Sequence, residues 1–583
     1  MKKIFLLPIC VLAACAGCSK DNIFNDGSEE LYGGGSTSGV SGPTTVEVKL
    51  DEEDLIAGTN FDRTISITFN DGGAASVSGD ANGIVKVNGN QVTADNTSTT
   101  EKVKYELSGS TTNGFFKVYS NNKQALVLNS VSITNPGGAA INNQGKKRCF
   151  VVVNGSSTLA DGSSYTQTPE NEDEKAAFFS EGQLIFSGEG TLTVTAKGKS
   201  GITSDDYLHF MASPTVKVTS NAGHAVRGKD AVIVSDGVLE AISTRAMKKG
   251  VASDSLVLFN GGKTTIAVSG GTAYDDDDQE YKASAGVKAD QLFVMNAGTL
   301  TVTSSGSGGK GISGDGPAYF QGGTVNVTVT GSNYGQSSSG MGGRPGQSNT
   351  SSDSSKSAKG IKFDGNIYIS GGSISAKASN HEALESKGKI EITGGSVYAQ
   401  SKDDAINSAG MLAITGGSVC AYSTGNDGID ANGNLYIEGG VVYAIGAGGA
   451  EVAMDANTEG GFKLYVNGGT LFAIGGLENG AILSQNCYQA SSWSKNTWYS
   501  LSVGSDTYCF KTPSSGGTGL VVSASSQPTL LSGVTPSGGT SVFDGMGVLG
   551  GSASGGNSVS LSTYSSGSGM GGPGGMGGPG MGW

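Results

Sequence analysis

Three stretches decide the fold: KIEITGGSVYAQ at 389–400, MLAITGGSVCAY at 411–422 and NLYIEGGVVYAI at 434–445. Each is one phrase, a short run of alternating apolar and polar residues, a Gly-Gly pair and a second alternating run. Alternation with period two marks a strand that buries one face. The glycine pairs fall at 371–372, 394–395, 416–417 and 439–440, so the phrase returns every 22 or 23 residues. A third element recurs between phrases: a small residue, an apolar one, a polar one and usually another small one. Its apolar position is held by Ile202, Val226, Val251, Val287, Ile312, Ile361, Leu384, Ile406, Ile429, Met454 and Ile482. Three strands and three turns per period make one coil of a right-handed parallel β-helix, an all-β solenoid. One coil cannot bury its own apolar side chains, whereas stacked coils set Ile on Ile and Val on Val. The glycine pairs permit corners with positive φ. A propeller would repeat at about 40 residues, and a leucine-rich horseshoe would show its asparagine and leucine pattern.

The pattern extends upstream less regularly through GGAAINN at 137–143 and AAFFSEG at 176–182. The β-helix domain is therefore expected over 46–485, with strands from near residue 62. Two spacings are long. One holds TAYDDDDQEYK at 272–282; the other holds the Ser/Gly-rich run 331–357, expected to be a disordered insertion on a single coil. Residues 486–550, with Trp493 and Trp498, are expected to form a C-terminal β cap, because an open end exposes strand edges. Residues 19–45 read as a flexible tether and 551–583 as a disordered Gly/Met/Pro-rich tail.

Glycine is 97 of 583 residues and only 36% are hydrophobic, which without the period would indicate low complexity. The net charge of −14 argues against nucleic-acid partners, since phosphate contacts need clustered Lys and Arg. Residues 1–18 resemble a lipoprotein signal peptide. Lys2 and Lys3 precede an apolar run too short to span a bilayer, and Leu12-Ala13-Ala14-Cys15 is similar to a bacterial lipobox. Lipidation is expected at Cys15, with Cys18 the alternative, giving a protein held to the outer membrane or cell surface by lipid alone. Cys149, Cys420, Cys487 and Cys509 show no CxxC spacing, and Cys487 and Cys509 either pair or remain buried thiols.

The units AAFFSEGQLIFSGEGTLTVTAKGKSGITSDDYLHF from 176, HAVRGKDAVIVSDG from 224 and NDGIDANGNLYIEGG from 426 resemble calcium- and polygalacturonate-binding parallel β-helix proteins, carbohydrate-binding relatives of pectate-lyase-like folds. The resemblance covers roughly residues 62–485. It implies bound calcium, acidic polysaccharide and a surface location.

Aligned on the apolar position, the turns form columns. Immediately after it come Glu385, Asn407, Asp430 and Asp455; two places before it come Glu382, Asp404 and Asp427. Carboxylates stacked about 4.8 Å apart repel by about 3.5 kcal/mol at an effective dielectric near 20. These seven residues are the expected calcium ligands, because calcium takes six to eight oxygens in irregular geometry. The plainer reading is a solvated acidic edge. Upstream the columns turn basic. Lys249, Lys310 and Lys359 stand two places before the apolar residue, and Arg227, Lys288 and Lys362 just after it. Lys249, Lys288, Lys310, Lys359 and Lys362 are the expected polysaccharide contacts, although charge balance along a stacked edge explains them equally simply. The functional expectation is a non-catalytic surface binder of acidic polysaccharide that uses calcium. The alternatives are a uronate lyase with Lys359 or Lys362 as base, and a structural adhesin without a sugar site.

Overall fold

A computed structural model describes residues 35–567 apart from 167–168, 170–171 and 336–354. The leader, Cys15, Cys18, the middle of the insertion and residues 568–583 lie outside the described residues. The fold is an all-β parallel solenoid. Each regular coil gives one short strand to each of three faces, as in Leu384–Ser386, Ile390–Ile392 and Ser396–Ser401. Among the described residues, helix is confined to three short 3-10 turns, and no helix is long and apolar enough to cross a membrane.

The apolar column is a physical stack. On the first face, Leu384 pairs in parallel with Ile406 and Ile406 with Ile429. Upstream the same column runs through Ile361, Ile312, Val287, Val251, Val226 and Ile202 to Phe178, Ile141, Phe116 and Val92. All are fully buried in one continuous core. Ile482 departs from the column. It is 43% exposed, in a strand paired with Tyr465 and Val466 of the second face. The place after Met454 goes to buried Leu477, because the last coil turns early at Gly475 and Gly476, both with positive φ.

The glycine pairs make the corners. Gly417 has φ +75°, and a Cβ there would lie 2.7 Å from the carbonyl carbon of Gly394 and the carbonyl oxygen of Gly395 in the coil below. Glycine is thus required twice, for the left-handed backbone and for close stacking.

The end of the solenoid is closed by antiparallel strands. Leu520–Ser523 pairs with both the last coil strand, Thr470–Ile474, and Cys487–Ala490. A separate six-stranded sheet covers the side rather than the end, packing Tyr499, Leu501, Phe510 and Leu530 onto Tyr398, Cys420, Tyr443 and Phe472. The expected boundary at 550 falls inside this unit. Ser552–Ser558 pairs with Thr529–Ser537, and Ser562–Thr563 pairs with Cys487–Ala490. The first part of the expected disordered tail is therefore ordered by edge pairing. Cys487 and Cys509 lie unpaired and buried, as do Cys149 and Cys420.

The expected tether also differs. Residues 35–61 lie along the outside of the coils and run against their order. Ser38 donates from N and Oγ to Glu438 at 2.7 and 2.6 Å, Thr44 to Glu391 at 3.0 Å, and Val46 is clasped by the Gln321 amide at 2.6 and 2.9 Å. Farther along, buried Asp54 accepts from the Tyr207 hydroxyl at 2.6 Å, meets His209 Nδ1 at 2.6 Å and pairs with Arg148 at 2.8 Å. Val46 and its neighbours also cover apolar residues that point outward from the coils, including Phe150 and Ile185. Residues 46–61 therefore form a strap, and the coils begin with Arg63–Asn70.

Candidate functional site

On the first face, stacking turns sequence offset into spatial columns. One column reads Arg227, Ala252, Lys288, Ser313, Lys362, Glu385, Asn407, Asp430 and Asp455. The parallel column reads Lys249, Ala285, Lys310 and Lys359. The basic and acidic strips adjoin end to end, as the turn alignment predicts.

The basic strip floors a cleft of about 730 Å³. Arg227, Lys249, Lys288, Lys310 and Lys362 line it, and Tyr281 stands at its wall. The wall is the long loop of this coil, folded as an antiparallel hairpin of Ala273–Asp275 and Glu280–Lys282. Tyr281 packs against Tyr274 at a centroid distance of 5.1 Å and against Tyr334 at 5.8 Å. This aromatic cluster was not anticipated. Its signal is the Tyr at each end of YDDDDQEY, a spacing that sets them opposite one another across a hairpin.

Most cations in the cleft have acidic partners. Arg227 meets Asp254 at 2.6 Å, Lys288 meets Asp290 at 3.1 Å and also Asp315, and Lys362 meets Asp364. Lys249 and Lys310 differ. Lys249 Nζ donates to the carbonyl of Met247 at 2.6 Å, and among the described residues neither ammonium has a carboxylate within ion-pair distance. Desolvation, reinforced by the charges of Lys248 and Lys288, pushes Lys249 down to about 8. Desolvation, with Lys362 and Lys359 beside it, pushes Lys310 down to about 8 as well.

Lys359 is not part of the cleft lining. It is buried, 3.1 Å from Glu382 and 2.5 Å from Glu385. Glu385 also pairs with Lys387 at 2.5 Å. Desolvation raises the Glu382 carboxyl, but the His381 hydrogen bond and the Lys359 charge outweigh it and bring it down to about 2. The seam between the strips is thus internally neutralised.

Beyond the seam the charge is less balanced. Asn407 Nδ2 donates to Asp404 at 3.0 Å and to Asp430 at 2.7 Å. The Asp427 amide donates to Asp404 at 3.2 Å, and the Val452 amide to Asp427 at 2.5 Å. Desolvation first, then neighbouring carboxylates, push Asp404, Asp427 and Asp430 up to about 7. Asp455 is pushed up too, by desolvation and by Glu478, a member of this group absent from the sequence-based set. Three acidic or imidazole groups converge within 4.8 Å at His381, Glu382 and Asp403, and again at Asp173, Glu181 and Asp205. The structure therefore joins Asp404, Asn407, Asp427 and Asp430 by hydrogen bonds and sets Asp455 one coil beyond, while Glu382 and Glu385 face Lys359.

A family model described as carbohydrate-binding domain-containing protein matches residues 88–246, 240–333 and 306–405, together more than half of the chain. The chain belongs to this family. The basic cleft lies wholly within the matched span, whereas the acidic group extends past it. No curated protein matches the chain. Among solved structures, the polysaccharide lyase-like protein from C. thermocellum, a gadolinium derivative, is similar at 22% identity and a TM-score of 0.35, over 46% of this chain and 99% of its own.

Proposed function

We propose that the cleft binds an acidic polysaccharide without cleaving it. One observation carries this reading: among the described residues, the column lysines Lys249 and Lys310 have no carboxylate within ion-pair distance, whereas Arg227, Lys288 and Lys362 on the neighbouring column are paired. An ammonium desolvated beside like charges is in deficit, and a uronate carboxylate supplies the missing charge through a charge-assisted hydrogen bond.

Calcium fits the acidic group past the seam. Asp404, Asp427 and Asp430 are desolvated carboxylates with elevated proton affinity, and a hard dication relieves the same excess charge that protons would. Glu382 and Glu385 fit less well, since Lys359 already balances them. Calcium there would supply charge compensation and rigidity at the C-terminal coils. Lipidation at Cys15 and attachment to the outer membrane or cell surface complete the proposal. Mass spectrometry of the mature N-terminus tests that part, with Cys15→Ser as the unlipidated control.

A second reading is a uronate lyase. It is favoured by the lowered proton affinity of Lys249 and Lys310, which makes each a usable base near neutral pH. Lys359 and Lys362 are less suited, being engaged by Glu382 and Glu385 and by Asp364. Calorimetry with polygalacturonate, followed by ultraviolet detection of unsaturated uronate products, separates the two. Binding without product, abolished in Lys249→Gln/Lys310→Gln, supports the binder. Product formation replaces it with the lyase, and wild-type silence in both assays removes the cleft from the argument.

A further inference from the structure

The two unpaired lysines are not neighbours in their column. Lys249 and Lys310 are separated by one coil, whose residue in register is Ala285. Adjacent coils are spaced by about 4.8 Å, so the two backbone positions lie about 9.6 Å apart along the solenoid axis. The intervening coil is stripped of bulk, reading Ala283-Ser284-Ala285-Gly286, and all but Gly286 line the cleft. The hairpin rises from this coil, so Tyr281 stands just before the small floor and faces the same cleft. A floor between two cations, a gap at Ala285 and an aromatic wall form a seat one sugar ring long.

From this juxtaposition we infer that a linear polyuronate lies along the solenoid axis, with carboxylates of alternate residues on Lys249 and Lys310 and the intervening ring over Ala285 beside Tyr281. The inference rests on the binding reading above and adds its register. In an extended chain whose residues alternate in orientation, carboxylates on the same side recur at every second residue, which suits a two-coil spacing. The carboxylate of the middle residue points away from the floor and contributes little. Arg227, Lys288 and Lys362, held by their acidic partners, flank the track without setting its period. A pyranose offers Tyr281 an apolar C–H face, the usual way an aromatic side chain with one polar end contacts a wet ligand.

The test is calorimetric titration of the full chain with mono-, di- and trigalacturonate and with polygalacturonate. Only the trimer reaches both lysines, so affinity is expected to rise by about tenfold or more between dimer and trimer, the worth of one added charged hydrogen bond. Lys249→Gln and Lys310→Gln should each abolish that step and leave dimer binding within a few-fold. Ala285→Leu should weaken the trimer most, by filling the seat, and Tyr281→Ala should weaken trimer and polymer alike. Melting temperatures close to wild type confirm that each variant is folded. An even rise with every added residue, or a step that survives in both lysine variants, overturns the register while leaving polymer binding intact. Failure of the wild type to bind any uronate, polymer included, overturns the register together with the reading beneath it.

Discussion

Ile406→Ala examines the stacking itself. Ile406 is fully buried between Leu384 and Ile429. Its backbone is held on both sides, with its amide donating to Gly428 at 3.1 Å and the preceding carbonyl, of Ala405, accepting from Leu384 at 3.1 Å. Neither neighbouring coil can move inward without breaking such bonds, so the cavity stays open. Large-to-small core changes cost about 2–5 kcal/mol, with the upper part of the range where the site cannot collapse. We expect about 4 kcal/mol. Ile482→Ala is the internal comparison. Ile482 fits the same sequence pattern, yet its side chain is 43% exposed, so its cost should be within about 0.5 kcal/mol. Because each coil contacts chiefly its neighbours, hydrogen exchange should report the loss at 384–386 and 429–431 first. Denaturant midpoints at constant slope give the magnitude. Equal costs for the two substitutions would refute the stacking argument, since sequence periodicity alone treats them as equivalent.

Calcium removal by chelator should lower the melting temperature, since a ligand of the native state stabilises it by mass action. Asp404→Ala/Asp427→Ala should be insensitive to the chelator, while Asp275→Ala in the hairpin should respond like wild type. For the lysines the sign follows from linkage. Binding of a carboxylate requires Lys249 and Lys310 protonated, and both are lowered to about 8. Affinity for polygalacturonate should therefore be flat below about pH 8 and fall above it, by up to about tenfold per unit for each lysine. Without ligand the unfolded chain holds more protons than the folded one between about pH 8 and 10.4, so folding stability gained from these two groups rises with pH across that window. Titrations at pH 7, 8 and 9 check the first statement and melts over the same range the second. Arg148→Ala should cost about 3–5 kcal/mol, because it leaves Asp54 buried without its guanidinium. Limited proteolysis should then cut first within residues 46–61.

The sequence makes the coil, its corners and both charged columns legible, because a solenoid maps a fixed offset onto a fixed direction in space. Lys249 stands in register with Lys310, and Asp430 with Asp455, as the aligned turns require. What the sequence does not carry is contact between segments of different period. Ser38 meets Glu438 across 400 residues, and nothing local in a Gly/Ser-rich stretch signals it. Ser552–Ser558 gives no apolar pattern because its strand is held by pairing to Thr529–Ser537 and buries almost nothing. Lys359 belongs to the basic column by position, but its long side chain reaches the carboxylates of the next coil, which a column diagram treats as a separate strip.

The two strips solve the same electrostatic problem differently, and the difference bears on what each binds. Like charges in adjacent coils, about 4.8 Å apart, repel by about 3.5 kcal/mol at an effective dielectric of 20, and inserting a neutral coil halves this to about 1.7 kcal/mol. The basic half inserts one at three places, and sets only Lys310 directly against Lys359, whose charge Glu382 and Glu385 meet. Ala252 separates Arg227 from Lys288, Ser313 separates Lys288 from Lys362, and Ala285 separates Lys249 from Lys310. Three of those cations are then neutralised by neighbouring aspartates, whereas among the described residues no carboxylate lies within ion-pair distance of Lys249 or Lys310. The acidic half inserts only Asn407, then sets Asp430 directly against Asp455 in register. Its repulsion is not relieved by spacing, and it adds to the desolvation that chiefly raises the proton affinities of Asp404, Asp427 and Asp430. A basic edge that stands alone but keeps two spaced cations unmatched is suited to a periodic polyanion. An acidic edge that does not balance itself is suited to a cation held at one place. Neutralisation of the seam by Lys359 insulates the two, so mutation at one edge should leave binding at the other intact.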